Sequence, residues 1–333
     1  MLTSRLFRAS IALAASLVAV GCEGRLVSTA GGDDPPPVRL MDGGPEERAD
    51  ARVVPGVDAG PPPDPSDPDA GEPPPPPPTD GRDAASVFFV GHSLINFDMP
   101  EMLAGIGESG GVRHEWSAHI GNGAPLSWIW SHPERGDGAD PHAELPSGRY
   151  DVLVLTEAIP LEDQMRYNDT VGYAERFVRL ARDGDPNARV YLYETWHSLD
   201  GAYDWRARIE SDRALWESVM DDVDARVDGP AMRMVPGGTA LGRLVDRVEA
   251  GGVPGLGSRR DLFVDDIHLG DVGNYFIALV QYATIYQRSP VGVTASTVDR
   301  WGEPFAAPSP DAARVMQEIA WEVVSTDPRA GVR

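Results

Sequence analysis

The chain has 333 residues and a formal net charge of −23, from 52 acidic and 29 basic side chains. This balance argues against nucleic acid as a partner, because binding to phosphates requires basic patches that replace counterions. Cys22 is the only cysteine, which excludes an intrachain disulfide, so a hydrophobic core must hold any folded domain together.

Residues 1–22 have the pattern of a secretory signal. Two arginines precede an apolar run at 11–20, which is too short for a stable membrane span, and Gly21-Cys22 follows. A small residue directly before a cysteine resembles a bacterial lipobox. That resemblance implies cleavage before Cys22 and attachment of a lipid to it, with ordinary secretion and an incidental cysteine as the alternative.

Residues 23–85 are rich in Pro, Gly, Asp and Ala, and include a proline run at 73–78. Between residues 23 and 83 there are 14 acidic residues and 5 arginines, a net charge of −9. Without periodic apolar residues this segment cannot bury a core, and its prolines favour extended polyproline II. We expect a disordered tether that holds a domain away from the membrane, either in the cell envelope or, without lipidation, in a secreted protein.

Residues 86–327 alternate short apolar runs with longer amphipathic stretches, which predicts a parallel sheet with helices on both faces. The predicted strands are 87–90, 115–120, 151–156, 189–195 and 232–235. The predicted helices are 100–109, 167–182, 203–227, 239–250, 272–287 and 311–325. By analogy we expect a three-layer α/β/α domain with a flavodoxin-like sheet of about five strands.

The first predicted strand leads directly to a serine. The apolar run 87–90 ends at Gly91, and Ser93 follows two residues later. Asp98 and Glu101 form a capping-box pattern that predicts the start of a helix. Ser93 therefore belongs at the carboxyl end of a strand, where open parallel sheets bind ligands. The alternative is that Ser93 only satisfies a backbone group in a turn.

A second informative stretch is Asp265-Asp266-Ile267-His268, which precedes the apolar segment 275–286. A carboxylate three residues before a histidine can accept from the ring N–H and fix the tautomer, which leaves the other nitrogen to take a proton from a serine. An early Ser and a late Asp-x-x-His resemble the SGNH (GDSL-like) hydrolases over residues 86–292. This resemblance implies Ser93 as nucleophile, His268 as base and Asp265 as its orienting group, with no metal or cofactor. Asp266 is the alternative orienting group.

The same resemblance implies an oxyanion hole formed by backbone N–H groups and one side chain. Ser93 supplies one N–H; Gly123 matches the family's glycine block best, with Gly121 as the alternative. The third predicted strand ends in Thr-Glu where most of the family carries asparagine. Either the Thr156 hydroxyl or Asn122 from the neighbouring loop could replace that donor.

We also assign three residues near the strand ends to the substrate pocket. His92 precedes the nucleophile, and Glu157 and Trp196 follow two neighbouring strands. Glu157 could instead fix a loop by hydrogen bonds. His197 is a rival to His268 as base, but only Glu194 precedes it at short range. The remaining histidines lack the spacing of a zinc site.

The family resemblance implies a serine esterase that removes acyl groups, with acetyl esters of a polysaccharide or glycoside as the expected substrate class. A lipase or phospholipase activity is the alternative within the same chemistry. A carbohydrate-binding relative without turnover and a structural envelope protein are the alternatives from other classes. No Gly-x-Ser-x-Gly elbow surrounds Ser93, which argues against an α/β-hydrolase.

Overall fold

The computed structural model describes residues 81–332. The predicted signal segment, Cys22 and residues 23–80 of the predicted tether lie outside this part of the chain. The strands are β1 Ala84–Gly91, β2 Arg113–Ile120, β3 Asp137–Gly138, β4 Val152–Leu155, β5 Arg189–Tyr193 and β6 Arg233–Val235. The helices are α1 Asp98–Ser109, α2 Leu126–Ser131, α3 Pro141–Glu144, α4 Leu161–Tyr167, α5 Thr170–Gly184, α6 Trp205–Asp224, α7 Gly237–Glu249, α8 Asp271–Tyr286 and α9 Pro310–Thr326.

The strands form one sheet in the order β3-β2-β1-β4-β5-β6. All neighbouring pairs are parallel except β2 and β3. Without the two-residue β3, the order of the parallel strands is the 2-1-3-4-5 order of flavodoxin-like folds. The predicted three-layer α/β/α architecture is therefore confirmed, with one short antiparallel strand added at the edge.

Helices cover both faces of the sheet because the central strand is apolar on both sides. Val87 and Phe89 of β1 belong to a core shared with α1, α7, α8 and α9. Phe88 and Val90 point into a second core that contains residues of α2, α5 and α6. All four side chains are fully buried. Helix α8 is buried along nearly its whole length, so its packing fixes the position at which the preceding loop ends.

The start of α1 differs from the predicted capping box. The helix begins at Asp98, but the Asp98 side chain makes no capping bond. Instead, the side-chain oxygen of Asn96 accepts a hydrogen bond from the backbone N–H of Met99 at 2.9 Å. This bond satisfies one of the helix's free N–H groups from two residues before its start.

Four short elements were not predicted, because none is long enough to show a periodic pattern of apolar residues. They are α2, α3, α4 and β3. The antiparallel pairing of β3 depends on Gly138, which has a φ of 104°. A Cβ atom at this position would collide with the carbonyl oxygen of Ala118. Within residues 81–332, no helix is both long and apolar enough to cross a bilayer.

Candidate active site

The turn after β1 presents Ser93 at the carboxyl edge of the sheet. Gly91 permits this turn because a Cβ atom there would collide with the side chains of Thr156 and Ile95. The carbonyl oxygen of His92 then accepts from the N–H of Ile95 at 2.9 Å. Strand β1 lies between β2 and β4, where the strand order reverses, and in such folds this is the position of the ligand crevice.

The loop before α8 is closed by hydrogen bonds within a few residues. Asp265 Oδ1 accepts from the backbone N–H of Ile267 at 2.8 Å and of His268 at 2.6 Å. The N–H of Val264 donates to the carbonyl oxygen of His268 at 2.9 Å. The main chain around the histidine is therefore held in part by bonds within its own loop.

The two segments meet in a hydrogen-bonded chain of three side chains. Asp265 Oδ2 lies 2.7 Å from His268 Nδ1, and His268 Nε2 lies 2.8 Å from Ser93 Oγ. An ionised carboxylate only accepts, so Nδ1 carries the ring proton and Nε2 is free to accept from the serine hydroxyl. The structure thus brings together Ser93, His268 and Asp265, the three residues that the sequence assigns to one site.

The carboxylate at the end of this chain is ionised at neutral pH. Partial burial raises the pKa of Asp265, but the N–H donors of His268 and Ile267 and the His268 ring outweigh that effect and hold the pKa below its ordinary value. The side chains of His268 and Asp265 are 38% and 48% exposed, so solvent water reaches both. A fixed negative charge behind the imidazole favours the protonated ring that proton transfer from serine would produce.

Asp266, the alternative orienting group, does not contact the ring, and that interpretation is wrong. Its Oδ2 accepts from Ser198 Oγ at 2.5 Å, and its carbonyl oxygen accepts from the N–H of Leu199 at 2.6 Å. Asp266 therefore joins the loop before α8 to the loop after β5.

His197, the rival base, lies outside the Ser93 cavity. Its Nε2 is 2.6 Å from Asp212 Oδ2, and both side chains are buried. Its carbonyl oxygen accepts from the indole N–H of Trp205 at 2.8 Å. The carboxylate partner comes from α6, fifteen positions later in the chain, which a search of the preceding residues could not find.

The structure decides between the proposed oxyanion donors in part. The Thr156 hydroxyl is buried and donates to the carbonyl oxygen of Tyr193 at 2.8 Å, so its assignment to the oxyanion hole is wrong. The Gly121 N–H donates to the carbonyl oxygen of Gly91 at 2.9 Å, so it is not free to bind an oxyanion. Gly123 is exposed with a φ of 65°, and its N–H has no backbone acceptor within residues 81–332.

The assignment of His92 to the substrate pocket is wrong, because the ring is buried and hydrogen-bonded on both nitrogens. Nε2 donates to the carbonyl oxygen of Glu157 at 3.0 Å, and Nδ1 accepts from the N–H of Leu94 at 3.4 Å. Burial, opposed by the Glu157 carbonyl and assisted by nearby His268, lowers the pKa of His92 to about 4. His92 is therefore a neutral structural residue beneath the serine turn.

Glu157 is also a structural residue, so its assignment to the pocket is wrong and the alternative role as a loop anchor holds. The side chain is fully buried, and Oε1 accepts from the backbone N–H groups of Leu126 at 3.0 Å and Ala158 at 2.8 Å. Burial raises the pKa of Glu157. The residue connects the start of α2 to the end of β4.

Trp196 does not line the pocket either. Its side chain is buried, and its indole N–H donates to the carbonyl oxygen of Ile267 at 2.8 Å. The predicted substrate contact is wrong because the ring packs into the core behind the histidine loop. Trp196 therefore supports the segment that carries His268.

The cavity in front of Ser93 and His268 has a volume of about 250 Å³. Its walls are mixed polar and apolar. The other lining residues are Asn96, Phe97, Asp98, Ile120, Asn122, Asp137, Leu269 and Asn274.

Several of these wall residues could not be assigned from the sequence. Asp137 belongs to β3, which no sequence pattern predicts. Asn96 lies in the turn before α1, where no sequence pattern marks it as a residue of the site. Asn274 lies in the first turn of α8 and accepts from Asn96 Nδ2 at 3.1 Å. Within the described part of the chain, no cluster of three His, Cys, Asp or Glu residues could hold a metal ion.

Known structures provide a comparison for this fold. A crystal structure of a DUF4886 family protein from Bacteroides uniformis aligns with a TM-score of 0.51 at 16% identity, covering 73% of this chain and 96% of that one. A family 3 carbohydrate esterase from Clostridium thermocellum aligns with a TM-score of 0.38 at 12% identity, over 60% of this chain and 94% of that one. A carbohydrate esterase family 3 protein from Talaromyces cellulolyticus aligns with a TM-score of 0.39 at 12% identity, covering 61% of this chain and 97% of that one. No protein-family model and no curated protein matches the chain.

Proposed function

We propose that this protein is a serine esterase that hydrolyses short acyl esters, with acetylated carbohydrates as the expected substrate class. The observation that carries this proposal is the continuous chain from Asp265 through His268 to Ser93, with contacts of 2.7 and 2.8 Å. Nucleophile, base and orienting group within hydrogen-bond reach are the arrangement that activates a serine.

In the acylation step, Ser93 Oγ attacks the ester carbonyl carbon while its proton moves to His268 Nε2. The carbonyl electron pair moves onto oxygen, and the N–H groups of Ser93 and Gly123 are the proposed donors to this oxyanion. Asp265 stabilises the imidazolium ion. The tetrahedral intermediate then collapses, the bond to the alcohol breaks, and His268 Nε2–H protonates the leaving oxygen.

Deacylation repeats the same proton movements with water as the nucleophile. His268 Nε2 takes a proton from water as the water oxygen attacks the acyl carbon. Collapse of the second intermediate breaks the bond to Ser93 Oγ, which recovers its proton from His268, and the carboxylic acid leaves. All proton transfers use one nitrogen atom, so the reaction needs only a small rotation of the ring.

The preference for short acyl groups rests on the cavity. Ligand pockets for drug-sized molecules span about 300–1,000 Å³, whereas the cavity at Ser93 has about 250 Å³. An acetyl group and part of a polar alcohol fit this volume. The asparagines and aspartates on the walls suit a leaving alcohol with several hydroxyl groups.

Hydrolysis of p-nitrophenyl acetate by the full chain tests the proposal, with Ser93→Ala as the matched variant. We expect loss of activity by about 10⁴-fold or more, because removing the nucleophile leaves only residual catalysis. A fluorophosphonate probe should label the wild type and not Ser93→Ala. Equal rates in the two proteins would remove the esterase proposal and favour a binding role without turnover.

The substrate class has its own test. Release of acetate from O-acetylated xylan oligomers should exceed hydrolysis of p-nitrophenyl octanoate in kcat/KM. A preference for the octanoate, or hydrolysis of phospholipid vesicles, would instead support a lipase or phospholipase.

We further propose that the chain is exported and anchored through lipid on Cys22. The basis is the sequence of residues 1–22 alone. Labelling of expressing bacteria with an alkyne palmitate analogue should mark the wild type and not Cys22→Ala. An unlabelled wild-type protein in the culture medium would indicate ordinary secretion.

A further inference from the structure

The oxyanion hole lacks a side-chain donor at the end of β4. The Thr156 hydroxyl donates to Tyr193, and the next residue, Glu157, is fully buried with Oε1 used by two backbone N–H groups. Neither side chain lines the cavity at Ser93. A donor for the oxyanion must therefore come from another wall of this cavity.

Three asparagines line the cavity, and the side chains of two of them are hydrogen-bonded to other residues. Asn96 Nδ2 donates to Asn274 Oδ1 at 3.1 Å, while Asn96 Oδ1 accepts from the N–H of Met99. Asn274 Nδ2 donates to the carbonyl oxygen of Leu269 at 3.3 Å. These bonds hold α1, α8 and the histidine loop together, and they engage one N–H of each amide, which fixes the orientation of both side chains.

Asn122 is the remaining amide on the cavity wall. It is exposed, it lines the same cavity as Ser93 and His268, and its side chain has no hydrogen-bond partner within residues 81–332. It lies in the loop after β2, and β2 is parallel to β1 with Ile120 paired to Gly91. The chain therefore leaves β2 beside the turn that carries Ser93.

The carboxylates and the catalytic side chains on the cavity wall cannot donate to an oxyanion. Asp98 and Asp137 are exposed carboxylates, which accept hydrogen bonds and repel negative charge when ionised. Ser93 and His268 are occupied by the attack and the proton transfer. Asn122 is thus the one amide of the cavity wall whose side chain has no hydrogen-bond partner within residues 81–332, so it is free to turn towards an oxyanion.

We propose that Asn122 supplies the third oxyanion donor, through its side-chain NH₂, from the loop after β2. This inference rests on the proposed esterase function and adds a catalytic residue to it. The amide donates to the former carbonyl oxygen as negative charge develops there, so its contribution is larger in the transition state than for bound ester.

The test uses Asn122→Ala and Asn122→Asp in the full chain, with p-nitrophenyl acetate as substrate. We expect Asn122→Ala to lower kcat by about 100-fold with little change in KM, since one oxyanion donor is worth about 10²–10³ in kcat. Asn122→Asp, of nearly the same shape, should lower kcat at least as far because a carboxylate opposes the oxyanion. The control is Asn187→Ala, which removes another exposed asparagine near the start of β5, at the opposite edge of the sheet.

A second measurement separates an oxyanion donor from a residue that only supports the loop. Methylboronic acid forms a tetrahedral anion on an activated serine and so mimics the intermediate. Its inhibition constant should rise in Asn122→Ala by about the factor by which kcat/KM falls. Circular dichroism and thermal melting should match those of the wild type.

The outcomes are distinguishable from failure of the proposed function. If the wild type hydrolyses ester and Ser93→Ala does not, but both Asn122 variants keep wild-type kcat, the role of Asn122 is wrong and the esterase stands. Unchanged boronate inhibition would also overturn it. Wild-type activity at the Ser93→Ala level would remove both proposals.

Discussion

The indole N–H of Trp196 donates to the carbonyl oxygen of Ile267 at 2.8 Å, directly before the residue that carries the proposed base. This bond joins the end of β5 to the histidine loop. Two further bonds do the same, from Ser198 Oγ and from the N–H of Leu199 to Asp266. The loop after β5 is therefore a support for the histidine and not a wall for substrate.

Trp196→Phe should show this support directly. A phenyl ring still fills most of the buried space, but Ile267 loses its donor and the smaller ring leaves a void, so we expect about 1–3 kcal/mol less stability in urea unfolding. Displacement of the histidine should lower kcat by about tenfold with little effect on KM, since small misplacements at a reacting centre are costly. Trp128→Phe is the control, because Trp128 stacks on His132 and its indole N–H has no partner within the described residues. Equal kcat in wild type and Trp196→Phe would contradict the supporting role.

Exchanging the two neighbouring carboxylates for amides should separate their roles. Asp265→Asn leaves no charge behind the imidazole and permits the wrong tautomer, so we expect kcat to fall by about 10³- to 10⁴-fold. Asp266→Asn can still accept from Ser198 and should cost about tenfold or less. Steady-state kinetics on p-nitrophenyl acetate measure both. The opposite ranking would make Asp266 the orienting group after all.

Burial of a neutral imidazole under the serine turn should make stability depend on pH. The pKa of His92 is about 4 in the folded protein, below its ordinary value of 6.5. Between these values the unfolded chain binds more protons, so the His92 contribution to unfolding free energy rises with pH and is lost as pH falls. From pH 7 to pH 4.5 the loss is about 2 kcal/mol.

Glu194 changes the free energy of unfolding with pH in the opposite direction to His92. The His92 contribution must therefore be measured as a difference between the wild type and a His92 variant. Burial, opposed by Arg213 and Thr239, raises the pKa of Glu194 to about 7, and its contribution is therefore lost as pH rises from 4.5 towards 7. Urea unfolding of wild type and His92→Gln at both pH values isolates the histidine. The wild type should lose about 2 kcal/mol more than the variant on acidification. Parallel pH profiles would mean that His92 is not held neutral.

The charges on the cavity wall should set a preference among ester substrates. Asp98 and Asp137 are exposed carboxylates beside Ser93. An anionic ester such as p-nitrophenyl hemisuccinate should have a lower kcat/KM than neutral p-nitrophenyl acetate, by about fivefold for 1 kcal/mol of repulsion. Asp137→Asn should reduce this difference, and so should 1 M salt. A preference for the anionic ester would contradict the role of these carboxylates.

The parts of the site that are local in sequence were predictable. The apolar run before Gly91 predicted where β1 ends, and Asp265 with His268 predicted a ring bond that needs only one turn of chain. The fold class followed from the alternation of strands and helices. These features depend on periodicity and on short loops, which a single sequence displays.

The parts that depend on packing were not predictable. Trp196 and Glu157 follow strands that end at the same edge of the sheet as the site. Their side chains nevertheless point away from the cavity and hydrogen-bond to backbone groups of neighbouring loops. His197 finds its carboxylate on α6, and β3 forms only because the chain returns to β2. Partners far apart in sequence decide all of these, so strand position alone could not reveal them.

The segment from Val264 to His268 is braced by bonds among its own residues, as well as by the loop after β5. Asp137, which lies on the cavity wall, belongs to β3, another stretch of chain. The residues that transfer protons and a residue of the substrate entrance are therefore carried by separate segments. A protein engineer could alter residue 137 for a new alcohol while leaving the acid–base residues and Asn122 unchanged.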